Sequence, residues 1–399
     1  MTEDPIPAIA APSAPPGAGL LVLLAAMTPE PLEHVLASLT AAFPAEDMLI
    51  AMQNAPPADS YPSLRIVTAP AANPSWTLTA ADFVNAYQLA EMNDSSAILM
   101  LGPSSSSLDS AALRDLASAV LTTSIDLAVP FYELPPRAGL VNSAILYPLT
   151  RALFASPVRF PLAVHLGLSR RMAQSLASSA HRFTASNQAE MPIWPVNEAM
   201  MAGFTVDQFE VGPHVQSQQT GLDLKTILPQ VTGALFADID AKAAFWQRFR
   251  PSPPTRHAVS KPTLQTPTVD AAAEIASMVY AFRLAYTNLQ EVWSLVLPPS
   301  SLLALKRLSA IDSAAFRMSD SLWVRIVYDF LLAYRLRTIN RGHLLGALIP
   351  LYLAWVASHI NITASGTDPE SHIEAVAAAF EADKTYLVSR WRWPDRFNP

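Results

Sequence analysis

Between Gly19 and Val211, short apolar runs alternate with stretches of helical periodicity, and that alternation restricts the fold more than any other feature. The runs LLVLLAAM after Gly19, MLIAM at 48–52, LRIVT at 64–68, AILML at 97–101 and IDLAVP at 125–130 are too short for helices. They are apolar throughout, the pattern of strands covered on both faces. Between the first two runs, Leu32, Val35, Leu36 and Leu39 follow the helical repeat behind Pro29, and a second helix is expected through 82–92. Strands separated by helices predict an α/β domain with a mostly parallel sheet.

The pattern continues with a helix near 145–154, the stretch FPLAVHLGLSRR at 160–171, a helix from Ser169, another around 196–203 and a strand near 207–211. FPLAV looks like a buried strand that delivers His165 at its end, and strand ends in such sheets face ligand crevices. The prolines of FRPSPPTRHAVSKP then interrupt the chain as a stiff connector. Beyond Thr268 only helical spacing appears, as in SLWVRIVYDFLLAYRLRTI. The expected organisation is a disordered Pro/Ala-rich tail at 1–18, a sheet domain at 19–250, a Pro-rich linker at 251–268 and an all-helical domain at 269–399.

Composition narrows the function classes. With 399 residues, 51% of them hydrophobic and 15% charged, the chain is long enough for two folded cores. A net charge of −7 without any Lys/Arg stripe argues against nucleic acid as the main partner. The absence of cysteine excludes disulfides, thiolate metal sites and a cysteine nucleophile, and it fits a cytoplasmic protein. The apolar run at 19–27 has no basic residue before it, so no signal peptide is expected. The uncharged run at 344–358 falls short of the ~20 residues of a membrane span and contains Pro350, so it reads as a buried core helix.

No dinucleotide fingerprint, phosphate-binding P-loop, nucleophile elbow, zincin or EF-hand motif occurs. Asp109 in LGPSSSSLDS is expected to cap the helix that follows, and His343 in NRGHLL to stand at a helix start. One resemblance does emerge at NSAILYPLTRAL (142–153) and FPLAVHLGLSRR. Asn142, Ser143, Tyr147, Pro148, Leu149, Thr150, Arg151, Ala152 and Leu153, with Pro161, Gly167 and Ser169, are similar to two motifs of retaining glycosyltransferases of the GT-A fold. That family is typified by mannosylglycerate, glucosylglycerate and glucosyl-3-phosphoglycerate synthases. The helical half looks similar as well, through LWVRIVYDFLLAY, INRGHLLGALIPLYLAWVAS and FEADKTYLVSRW.

The resemblance implies a GT-A-like sheet and transfer of a sugar from a nucleotide-sugar donor to a small polar acceptor such as a glycerate-type acid. It also implies a divalent metal (Mg or Mn) on the diphosphate, and self-association. His165 stands where relatives carry a functional carboxylate, which makes it the catalytic candidate. Asn142, Ser143, Arg151, Gly167, Glu198 and His214 are the substrate-binding candidates that the resemblance suggests. The metal set is missing: the DxD position reads Leu101-Gly102-Pro103, the paired glycines are Ala163 and Val164, and Gln216 replaces a late metal-binding histidine. Three readings follow. The chain is a diverged, metal-independent transferase with Arg151 or Arg137 in place of the metal's charge; or it is an inactive pseudo-glycosyltransferase acting as scaffold or regulatory partner; or it is an assembly protein working through its helical half. Each candidate also has a structural reading: Asn142 and Ser143 as helix caps, Glu198 as an exposed helical charge, Arg151 as a solvated or interface charge, and His214 as a loop residue.

Overall fold

The computed structural model describes residues 19–54, 60–70, 75–122, 124–135, 137–186, 188, 190–213, 223–248 and 271–393. The expected tail, the Pro-rich linker, His214 and Gln216 lie outside them.

Seven strands form one mixed sheet in the order β3-β2-β1-β4-β6-β5-β7. They are β1 (Leu20–Leu24), β2 (Met48–Met52), β3 (Arg65–Thr68), β4 (Ala97–Leu101), β5 (Leu127–Glu133), β6 (His165–Ser169) and β7 (Val206–Pro213). β1, β2 and β4 are buried at every position, which explains their unbroken apolar sequences. The covering helices are α1 (Pro29–Ala42), α2 (Ala80–Met92), α3 (Ser110–Thr122), α4 (Tyr147–Phe154), α5 (Arg170–Ala185) and α6 (Pro195–Ala202). Thr79 and Asp82 form a capping box on α2, and the Ser169 hydroxyl accepts from the Met172 amide to start α5. Asp109 accepts from the Ala112 amide at the head of α3, as expected. This is the mixed, mostly parallel sheet flanked by helices that the sequence predicted.

β6 alone runs antiparallel to both neighbours. That orientation corrects the reading of FPLAV: residues 160–164 are loop, and the strand is HLGLS. Pro161 has no N–H to donate to a ladder, and pairing begins only where Leu101 meets His165. His165 therefore opens its strand, yet antiparallel pairing still puts it beside the C-terminal end of β4. At Gly167, an added Cβ would lie 2.3 Å from the Leu116 carbonyl oxygen and 3.1 Å from the Ala128 Cβ. Glycine is required there so that α3 can lie directly on the sheet.

The chain continues as α7 (Leu224–Ala241), α8 (Ala243–Trp246), α9 (Ala271–Asn288), α10 (Gln290–Ser294), α11 (Pro299–Ser309), α12 (Asp320–Leu336), α13 (Arg341–Ala364), α14 (Pro369–Ala382) and α15 (Lys384–Arg392). No strand occurs after Thr268 among the described residues. A second apolar core joins these helices to residues 140–154, with Trp246, Trp293, Trp323 and Trp355 fully enclosed. α13 is longer than the apolar run predicted: Asn340 caps it, Pro350 sits inside it, and it spans 24 residues. By length and composition it could cross a membrane, but it is mostly buried inside the fold as a core helix. His343 stands in its first turn, where its amide donates to Asn340 Oδ1.

Candidate functional site

The parallel strands end on one edge of the sheet, and the His165 end of β6 lies on that edge. His165 is 0% exposed. The Gly102 N–H donates both to the Val164 carbonyl (2.8 Å) and to His165 Nδ1 (3.2 Å). Because Nδ1 is the acceptor, the ring proton sits on Nε2, 3.4 Å from Ser104 Oγ. Its acceptor nitrogen is already taken, so a ligand proton reaches it only by displacing the Gly102 amide. Tyr132 packs edge-on against it at 6.0 Å. Burial drives the Tyr132 hydroxyl far above the usual phenol range, opposed by the amides of Val164 and His165 that face it.

The end of β4 is closed in the same way. A Cβ at Gly102 would lie 2.7 Å from the Val164 carbonyl oxygen and 2.9 Å from the Val164 Cβ. Hard divalent cations take several oxygen ligands. The end of β4 offers Leu101, Gly102, Pro103 and one committed imidazole, so these residues do not fit Mg or Mn. Among the described residues, no group of three or more His, Asp or Glu side chains comes together as a metal cage.

The remaining sequence candidates do not converge on His165. Arg151 belongs to an ion-pair cluster between α4 and α14, 2.5 Å from Glu374 and 3.1 Å from Glu381. Tyr147 joins it by donating to Glu374 at 2.6 Å. Arg137 is 2.7 Å from Glu274 on α9. Both arginines are thus ion-paired with glutamates of the helical half. Gly167 lies against α3 at the Leu116 carbonyl. Glu198 is buried 2.9 Å from Lys242, so the exposed-charge reading does not describe its surroundings. Lys242 also pairs with Asp238, whose carboxyl is raised by burial against the pull of that ammonium. Asn197 completes this cluster by donating to Asp238 at 2.8 Å.

Asn142 and Ser143 are not helix caps. They lie in a π-helical turn (Asn142–Leu146) running directly into α4. Asn142 Nδ2 donates to the Arg159 carbonyl at 2.9 Å, and Ser143 Oγ accepts from Arg159 Nη2 at 2.9 Å. Arg159 escaped the sequence reading, although a lone arginine in SPVRFPL, amid apolar residues, was a usable signal. It is buried, holds Glu370 at the head of α14 at 3.0 and 3.1 Å, and lies over the rings of Tyr147 and Phe160. Beside it a cavity of about 140 Å³ opens between the ends of β5 and β7 and the start of α14. Among the described residues, Ser143 is the one sequence candidate that lines it.

Neither a family model nor a curated protein matches the chain. Solved structures do. A mycobacterial protein aligns at 13% identity and a TM-score of 0.38, covering 56% of this chain and 74% of its own. Glucosyl-3-phosphoglycerate synthase from Mycobacterium tuberculosis, in complex with Mn2+, uridine-diphosphate-glucose and phosphoglyceric acid, aligns at 15% identity and a TM-score of 0.37. That alignment covers 56% of this chain and 79% of the synthase. Likeness at this distance assigns neither family nor activity.

Proposed function

We propose that this chain is a glycosyltransferase-like protein that no longer transfers sugar and serves as a scaffold or regulatory partner. The observation that carries the proposal is the closure of the β4–β6 edge. Gly102, Val164 and His165 bond to one another where a transferase of the resembled family needs an open metal and donor site. A reaction that expels a nucleoside diphosphate must stabilise the charge developing on it. Here the two arginines that could do so are committed to glutamates, and the one imidazole is locked as an acceptor. The proposal includes self-association and a cytoplasmic location, both resting on the sequence reading.

Titrating the protein with nucleotide sugars by calorimetry, with and without manganese, tests this reading. The expected result is no manganese-dependent binding and no release of nucleoside diphosphate in the presence of glycerate-type acids. Turnover of any nucleotide sugar overturns it, and so does micromolar manganese binding that depends on a nucleoside diphosphate.

A further inference from the structure

The end of the helical half where α8, α12 and α15 finish gathers charge of one sign. Arg335 donates to the Trp391 carbonyl at 2.7 Å and lies 4.3 Å from the centre of the Trp391 ring. Arg341, which opens α13, does the same at Tyr334, 3.2 Å from its carbonyl and 4.0 Å from its ring centre. Carbonyls and ring faces hold both guanidiniums in place without neutralising them. Trp391 meets Trp246 edge to face at 4.9 Å, and Arg392 Nε donates to Gln247 Oε1 at 3.2 Å. Those contacts bring exposed Arg248 to the same end. Burial raises the Tyr334 hydroxyl, Arg341 and Arg337 oppose the rise, and Asp240 adds to it, so these three charges stand near one ring. Arg337 is exposed and left-handed (φ 53°) after α12, a position that suits glycine or asparagine. Among the described residues, Asp240 is the one carboxylate ion-paired with any of these five arginines, 3.7 Å from Arg335. The whole chain carries −7, so this end opposes the net sign.

A second, independent feature is that two large apolar side chains are exposed among these charges. Leu336 is 48% exposed between Arg335 and Arg337, and Trp393 is 61% exposed next to Arg392. The Trp393 N–H donates to the Ser389 carbonyl at 3.1 Å, which ties this residue to α15. Arginines interleaved with a leucine and an indole suit the membrane interface: cations meet headgroup phosphates while apolar side chains enter the acyl boundary.

We propose that this end of the helical half docks on an anionic phospholipid surface. Arg248, Arg335, Arg337, Arg341 and Arg392 face the headgroups, and Leu336 and Trp393 insert among them. Charge complementarity selects this partner, because a positive patch on a negative chain orients the molecule with that end toward an anionic bilayer. Nucleic acid also offers phosphates, but it has no acyl layer to receive a leucine. The attachment is peripheral, since α13 stays mostly buried in the core. The inference holds whether or not the chain transfers sugar.

Co-sedimentation of the full-length protein with vesicles tests it, comparing phosphatidylcholine alone with phosphatidylcholine containing about 30% phosphatidylserine. Binding is expected only with phosphatidylserine, and it should weaken as salt rises. An arginine held at an anionic surface is worth about fivefold in partitioning, so Arg337→Asn/Arg392→Gln should weaken binding at least tenfold. Both side chains are exposed and asparagine tolerates the left-handed conformation, so this double variant should keep the wild-type melting temperature. Trp393→Ala should weaken binding several-fold and leave its salt dependence unchanged. The proposal is overturned if the phosphatidylserine vesicles are not bound or if phosphatidylcholine alone is bound equally. Full binding by either variant overturns it as well, and so does tighter binding to a short DNA duplex than to the vesicles. None of these outcomes depends on the nucleotide-sugar assay, so this inference and the proposed loss of transfer can fail separately.

Discussion

His165→Ala separates a structural histidine from a catalytic one. The imidazole is completely enclosed, so trimming it to a methyl leaves a void that costs about 3 kcal/mol, toward the low end for aromatic truncations. Of that, about 1 kcal/mol is the edge-to-face contact with Tyr132. The Gly102 N–H is not orphaned, because it keeps its 2.8 Å bond to the Val164 carbonyl when Nδ1 is removed. His165→Phe refills most of the void and should cost only about 1–2 kcal/mol through imperfect shape. Urea unfolding followed by circular dichroism reads both. The Ala variant should lose about 0.5–1 M in midpoint, with an unchanged slope, and the Phe variant less than half of that. An Ala variant with the wild-type midpoint refutes the reasoning. Loss of a wild-type nucleotide-sugar turnover at unchanged stability would refute it more strongly and make His165 catalytic.

Three further outcomes are expected. Gly167→Ala forces α3 off the sheet at the Leu116 carbonyl and should cost about 2–3 kcal/mol in urea unfolding; a neutral effect would mean that the helix yields easily. Arg151→Met releases Glu374 and Glu381 at the α4–α14 contact, and since both keep some solvent the loss should be nearer 2 kcal/mol than the ~4 of a sealed pair, read by urea unfolding. Burial, with His372 and Arg159 nearby, holds buried His359 at about 4 against its ordinary 6.5, so the unfolded chain binds more protons between those values. Its contribution of about 3 kcal/mol is complete above pH 6.5 and is lost as pH falls toward 4. His359→Gln should therefore show a shallower loss of stability than the wild type between pH 7 and pH 4, and parallel curves would exclude His359 as the titrating group.

Much of the fold was legible because its signals are local. Unbroken five-residue apolar runs mark doubly covered strands, Ser169 and Asp109 carry their own cap chemistry, and the switch to helical spacing beyond Thr268 needs no partner to be read. The extra length of α13 was missed because the reading stopped at the ends of the uncharged run, whereas the helix continues through the buried His359, Ile360 and Asn361. Sequence also supplied the most consequential chemical fact, the absence of carboxylates at Leu101-Gly102-Pro103. What it could not supply was which long-range pairs form. The direction of β6 depends on β4 and β5, and that direction alone brings His165 onto Gly102. Arg151, Glu198 and Arg159 look alike in sequence, as single charges among apolar residues. Only the docking of α14 and α7 decides that Arg151 meets Glu374 and Glu381, Glu198 meets Lys242, and Arg159 meets Glu370 beside a cavity. A charge's partner lies up to 230 residues away along this chain, and no spacing rule reaches across that distance.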